Sequence, residues 1–131
     1  MTTTPHAAAY GEVAALMQDY FDGLYHGDTQ RLRRVFHPEA VYATASEEDP
    51  LILRMNEYFE IVDSRPSPAS RGEHRTDQIL SIEFAGPVTA VAKLRCSIVP
   101  KHFIDLLSLI RVEGRWQIIA KVFHFTVHAP V

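Results

Sequence analysis

With 131 residues, 47 % of them hydrophobic and 22 % charged, the chain has the make-up of one globular domain, residues 1–131, and is too short for two ordinary ones. A net charge of −3 at neutral pH supplies no basic surface able to neutralise a run of phosphates, so nucleic acid is excluded as a partner, and the arginines at 31, 33, 34, 71 and 75 are offset by nearby acids. One cysteine, Cys96, excludes an internal disulfide, and no apolar run has the length of a membrane span or the pattern of a signal peptide, so a cytoplasmic protein without a membrane partner is expected.

Thr4 as a cap and Pro5 at the first helical position open a predicted helix over 5–26, whose stripe is Val13, Leu16, Met17, Tyr20, Phe21 and Leu24. Gly27 can take the positive φ of a helix end, and Asp28 can cap a second helix over 29–36 carrying Leu32, Val35 and Phe36, closed by Pro38. A short strand over 41–45 leads into an acidic turn. Asp49-Pro50 there reads as the cap and first-turn proline of a third helix over 50–63, with Ile52, Met55, Tyr58, Phe59 and Val62 as its buried stripe. A proline-bearing loop follows, running to about Gly72.

Beyond that loop the apolar period changes from three and four to two. Strands are predicted over 78–85, 88–99, 102–112 and 115–127, with turns at Ala85-Gly86-Pro87 and at Glu113-Gly114. Helix, helix, strand, helix and then a run of antiparallel strands is an α+β order, with three N-terminal helices packed on one face of a strongly curved antiparallel sheet. A regular two-residue turn at Glu113-Gly114 pairs Phe103 with His124, Asp105 with Val122 and Leu107 with Ala120. Both faces of that hairpin then carry apolar side chains. The face turned away from the helices therefore needs a cover, and a homodimer through the sheet is the simplest one.

The segments YFDGLYHGDTQRLRRVFHPEAVY and FIDLLSLIRVEGRWQIIAKVFH resemble the nuclear-transport-factor-two-like superfamily, and within it the lumazine-binding branch beside the polyketide-cyclase-like proteins. The resemblance spans about residues 8–127. It implies a cone-shaped, cystatin-like roll with a pocket between helices and sheet and, commonly, dimers through the sheet. It does not fix a reaction, because one fold hosts isomerases, dehydratases, cyclases and pure binders. Compared with the ketosteroid isomerases, Tyr20 falls near their helix-one oxyanion donor. Ala43 and Thr44 stand where their general-base aspartate would be, and Ser108 near their second donor, so that reaction is not expected.

Asp105 and His124 are the candidate catalytic pair: the regular register sets them on one face as diagonal neighbours, where a carboxylate can fix the tautomer of an imidazole and raise its basicity. The same pair could instead only order the sheet. Lys121 lies on the opposite face of a regular hairpin, but one β-bulge would swing it toward Asp105, where it could meet an acidic ligand. Tyr20, Tyr42 and Tyr58 come from three elements whose apolar faces converge, so they can stack and orient a planar ligand or serve simply as core. His37, in Phe36-His37-Pro38, is expected to hydrogen-bond local backbone. The remaining histidines, among them His6 and His128, are scattered, and no metal site is expected from their spacing with the acids. No phosphate loop, dinucleotide fingerprint or nucleophile elbow is present in the sequence, so no cofactor is expected, and Cys96 reads as an inert core thiol. The function expected is a small-molecule pocket. It serves either cofactor-independent acid–base chemistry on a carbonyl or aromatic compound, or binding of a heteroaromatic ligand of lumazine or flavin type; a dimeric interaction domain is the third reading.

Overall fold

The computed structural model describes the backbone over 5–127 and the side chains over 7–127. The Thr4 cap, the His6 side chain and His128 lie outside the described residues. The elements in chain order are α1 (Pro5–His26), α2 (Thr29–Val35), β1 (Phe36–Thr44), β2 (Leu51–Arg54), α3 (Met55–Ser64), β3 (Gln78–Phe84), β4 (Thr89–Ile98), β5 (Lys101–Val112) and β6 (Arg115–Val127). They form one six-stranded sheet in the order β2-β1-β6-β5-β4-β3. Every pairing is antiparallel except β1 with β6, which is parallel. The sheet is therefore mixed rather than purely antiparallel. β1 joins the β3–β6 meander at its far side, alongside the last strand, and leaves β3 as the other edge. No helix among the described residues is long and apolar enough to cross a membrane.

The helices bury the stripes their spacing announces: Met17, Tyr20 and Phe21 from α1, Leu32 and Val35 from α2, and Tyr58, Phe59 and Val62 from α3, all at most 4 % exposed. They pack on Ala92, Leu94, Leu107, Leu109 and Ile118 of the sheet. Each large apolar side chain removed from water in this way contributes roughly 1.5–3 kcal/mol. Gly27 has φ 63° at the end of α1, and Asp28 caps α2 by accepting from the Arg31 N–H at 3.1 Å. The Glu113-Gly114 turn has φ 53° and 76°, as a two-residue hairpin turn matched to the strand twist requires.

Two expectations fail in this half of the chain. Leu51–Arg54 is not the first turn of a helix but a strand, pairing Leu51 with Thr44 and Arg54 with Val41. The helix cap is Arg54, whose N–H donates to the Glu57 carboxylate at 3.1 Å, and Asp49-Pro50 lies in the turn before β2. Ile52, assigned to a buried stripe, is 70 % exposed on that edge strand. The strand expected over 41–45 begins five residues earlier, with Pro38 inside it and a register irregularity between Phe36 and Val41.

Candidate functional site

The decisive local feature is in β6. From the Glu113-Gly114 turn the ladder runs regularly as far as Leu109 opposite Ile118, and then resumes with Ser108 opposite Ala120, so that Ile119 has no partner. This is a β-bulge. Beyond it Leu107 faces Lys121, Asp105 faces Phe123 and Ile104 faces His124. The expected pairings of Phe103, Asp105 and Leu107 are each displaced by one residue. Lys121 is turned inward, 5 % exposed, and His124 outward.

The Asp105–His124 pair is thereby removed. The His124 ring is exposed on the outer side of the sheet, where its Nδ1 lies 3.1 Å from the Ser46 hydroxyl. Ser108 is likewise exposed on the outer face. The group beside the Tyr20 hydroxyl is instead Asp105: the hydroxyl donates to Asp105 Oδ2 at 2.6 Å, with both residues fully buried. Asp105 Oδ1 is equally buried and receives no hydrogen bond among the described residues.

Lys121 sits in an aromatic cage. Its Nζ lies 5.2 Å from the ring centre of Tyr20, 5.5 Å from Tyr42, 5.0 Å from Tyr58 and 5.1 Å from Phe123, within the range of cation–π attraction. Tyr42 and Tyr58 stack at 4.8 Å and 29°. The ammonium donates to the Tyr58 hydroxyl at 3.3 Å, its one hydrogen bond among the described residues. An ammonium has three N–H donors. The other two make no hydrogen bond among the described residues.

Burial alone would lower the Lys121 pKa, but the Tyr58 oxygen and the Asp105 carboxylate outweigh it and hold the ammonium above its ordinary value. The Tyr20 hydroxyl is pushed well up by burial and by Asp105, and the Cys96 thiol is pushed up by the same two causes. Both causes favour the protonated thiol at Cys96, which lies in the cavity wall. Its thiol is 3.9 Å from Asp105 Oδ2.

A cavity of about 310 Å³ opens between α3 and the sheet, with Lys121, Tyr42, Tyr58, Cys96, Phe103 and Phe123 deep in its lining. This is at the small end of the roughly 300–1,000 Å³ typical of ligand pockets. Tyr20 and Asp105 do not line it; the Tyr20 ring lies against the Lys121 ammonium from behind the cavity wall. The mouth carries Arg65, Lys101 and Glu47, which the sequence reading did not single out. The signal that was available is Arg65 just before Pro66, since a residue preceding proline is driven out of the helix and its side chain leaves α3 in a fixed direction. His37 does what its position suggests, accepting from the Glu39 N–H at 3.0 Å. No group of three or more histidine, cysteine or acidic side chains able to hold a metal occurs among the described residues.

A family model described as "Putative lumazine-binding" matches residues 8–124. The chain belongs to this putative lumazine-binding family. Among curated proteins, this lumazine-binding-family chain is similar to the aldolase FrzH of Cladobotryum sp, at 23 % identity over 120 residues, covering 90 % of this chain and 92 % of that one. Among solved structures it is similar to an NTF2-like protein of unknown function from Shewanella baltica, with a TM-score of 0.85 and 21 % identity, over 97 % of this chain and 100 % of the other. A ketosteroid isomerase-like protein from Erwinia carotovora matches with a TM-score of 0.69 and 12 % identity, over 92 % and 96 %. At these identities the solved structures establish the fold, the NTF2-like cone, and leave the chemistry of this family member to its own residues.

Proposed function

We propose that the protein takes a small carbonyl compound with an aromatic or other planar part into the cavity, and catalyses proton transfer at the carbon next to the carbonyl without a cofactor. The observation that carries this reading is the caged Lys121 ammonium, which faces the cavity with two N–H donors unspent. A ligand carbonyl oxygen accepting from it gains most as negative charge develops on that oxygen, in a site walled from water by rings. A raised pKa opposes a Schiff-base role, which needs the neutral amine. In this scheme the C–H proton passes to Glu47, the one carboxylate on the cavity wall, the electron pair moves to the oxygen as an enolate held by Lys121, and return of a proton at carbon completes the cycle. Asp105 and Tyr20 keep Lys121 charged and in place. The likeness to an aldolase is in keeping with enolate chemistry of this kind.

The test is hydrogen–deuterium exchange at the carbon next to the ketone, followed by NMR in D₂O with 4-phenyl-2-butanone as a neutral probe. Wild type should accelerate exchange, and Lys121→Met should remove about 10²–10³ of the acceleration, the loss typical of one oxyanion donor. Exchange unaffected by Lys121→Met would refute the scheme.

The stacked Tyr42–Tyr58 pair and the family description favour, as a second reading, non-catalytic binding of a heteroaromatic ligand of lumazine or flavin type. Binding of such a compound with no exchange of any ketone would decide for it. In either case we propose a cytoplasmic homodimer joined through the outer sheet face, where the directly paired Leu106 and Val122 are 46 % and 49 % exposed. Sedimentation at micromolar concentration should give a dimer for wild type and a monomer for the Leu106→Glu, Val122→Glu double variant.

A further inference from the structure

Resting on the carbonyl reading above, we infer that the ligand also carries a carboxylate, and that Arg65 at the cavity mouth is the residue that receives it. Arg65 ends α3: its backbone N–H donates to Ile61 at 3.2 Å, its φ and ψ are −97° and 148°, and Pro66 follows. Backbone geometry therefore fixes where the side chain starts, and the side chain runs half-buried along the cavity wall.

Most other arginines near helices and loops are engaged; Arg34 and Arg111 are not, but both are exposed and neither lines this cavity. Arg31 and Arg75 pair with acids, Arg71 with Glu73, Arg54 and Arg115 donate to carbonyl oxygens, and Arg33 lies 4.6 Å over the Phe59 ring. The Arg65 guanidinium makes no ion pair, hydrogen bond or ring contact among the described residues, although it lines a cavity. Its charge reaches the deep wall, where it opposes the upward pull of burial on Tyr42 and Cys96. With Lys121 and Lys101 it gives the cavity three cations against the single carboxylate of Glu47.

A guanidinium fork matches a carboxylate in two parallel hydrogen bonds and is less strongly hydrated than an ammonium, so it is suited to a half-dry mouth. The deep ammonium, with donors to spare, suits a carbonyl oxygen. The two cations thus sort the two ends of one molecule: a keto acid whose ketone goes in first and whose carboxylate remains at the entrance. Binding a remote charge in this way also positions the reacting carbon.

The test uses aryl keto acids with two to four methylene groups between ketone and carboxylate, beginning with 3-benzoylpropionate, each alongside its methyl ester. Dissociation constants by calorimetry should favour the best acid over its ester by at least tenfold in wild type. Arg65→Gln should bring that ratio near one with little change for the ester, Arg65→Lys should keep part of it, and Lys101→Gln should keep most of it. A preference that survives Arg65→Gln, equal binding of acid and ester, or failure of every acid to bind at millimolar concentration would each overturn the inference. Exchange of the neutral 4-phenyl-2-butanone, and its loss in Lys121→Met, judges the carbonyl reading separately.

Discussion

Asp105 and Lys121 are two opposite charges on adjacent strands, diagonal neighbours in the ladder because Asp105 faces Phe123 and Leu107 faces Lys121. Both are at most 5 % exposed, so solvent screens them little. Diagonal neighbours on one face lie about 6–7 Å apart at the side-chain bases. At that separation and an effective dielectric of about 20 the attraction is about 2.5 kcal/mol. A double-mutant cycle measures it. Asp105→Asn keeps an acceptor for the Tyr20 hydroxyl and strands the ammonium; Lys121→Met keeps the volume and strands the carboxylate. Each single change should cost about 3 kcal/mol in urea unfolding at pH 7 and equal protein concentration, because each leaves a buried charge without its counterpart. The double variant should cost about 3.5 kcal/mol in place of the roughly 6 kcal/mol of two independent losses, a coupling of about 2.5 kcal/mol, roughly 70-fold in the unfolding equilibrium. A coupling under about 0.5 kcal/mol would show that the two groups do not sense each other, and the assignment of Asp105 as the group that keeps Lys121 charged would fall.

The same pair has a pH signature. The folded state raises the Lys121 pKa, so its contribution is complete below the unfolded value of about 10.4 and is lost as pH rises through the folded one. The stability gap between wild type and Lys121→Met should therefore be level from about pH 8 to 10 and shrink above that, and a gap that widens on the alkaline side would contradict it. His124→Ala, which removes only an exposed ring beside Ser46, should cost under about 1 kcal/mol and leave ketone exchange within about twofold; a loss of exchange would return His124 to the site. Gly23→Ala tests packing, because a Cβ there would lie 2.6 Å from Leu32 Cδ2 and 2.8 Å from its Cγ. Overpacking of about 1–3 kcal/mol should outweigh the helix-propensity gain of about 1 kcal/mol, so thermal unfolding should move down and not up. Deleting Ile119 removes the unpaired residue and leaves Lys121 opposite Leu107; the variant should fold, with Lys121 still protected from amine-reactive reagents, and labelling of Lys121 would refute the register.

The elements of this fold differ in how plainly the sequence marks them. Helical stripes such as Met17, Tyr20 and Phe21 were plain because every third or fourth residue repeats the statement, and the caps at Gly27 and Asp28 are single residues with single uses. The strand at Leu51–Arg54 was hidden because four residues of Leu-Ile-Leu-Arg fit a helix as well as a strand, and only pairing with Val41–Thr44 decides between them. The convergence of Tyr42, Tyr58 and Lys121 was accessible in outline, the last of these only through the allowance for a bulge. What no periodicity could supply was where that bulge falls. Ile119 is apolar like its neighbours Ile118 and Ala120, so nothing in the letters marks it as the residue left out of the ladder.

That unpaired isoleucine makes the identity of the interior a matter of counting. If the strand were straightened with all its residues retained, Val122 and His124 would turn inward and Lys121 and Phe123 outward, so that a basic aromatic chamber would become an imidazole-bearing one without a single substitution. Among relatives that share about a fifth of their residues, equivalence of chemistry therefore has to be judged by which side of the sheet a residue faces, and two chains whose letters line up column by column in this strand can still present opposite interiors.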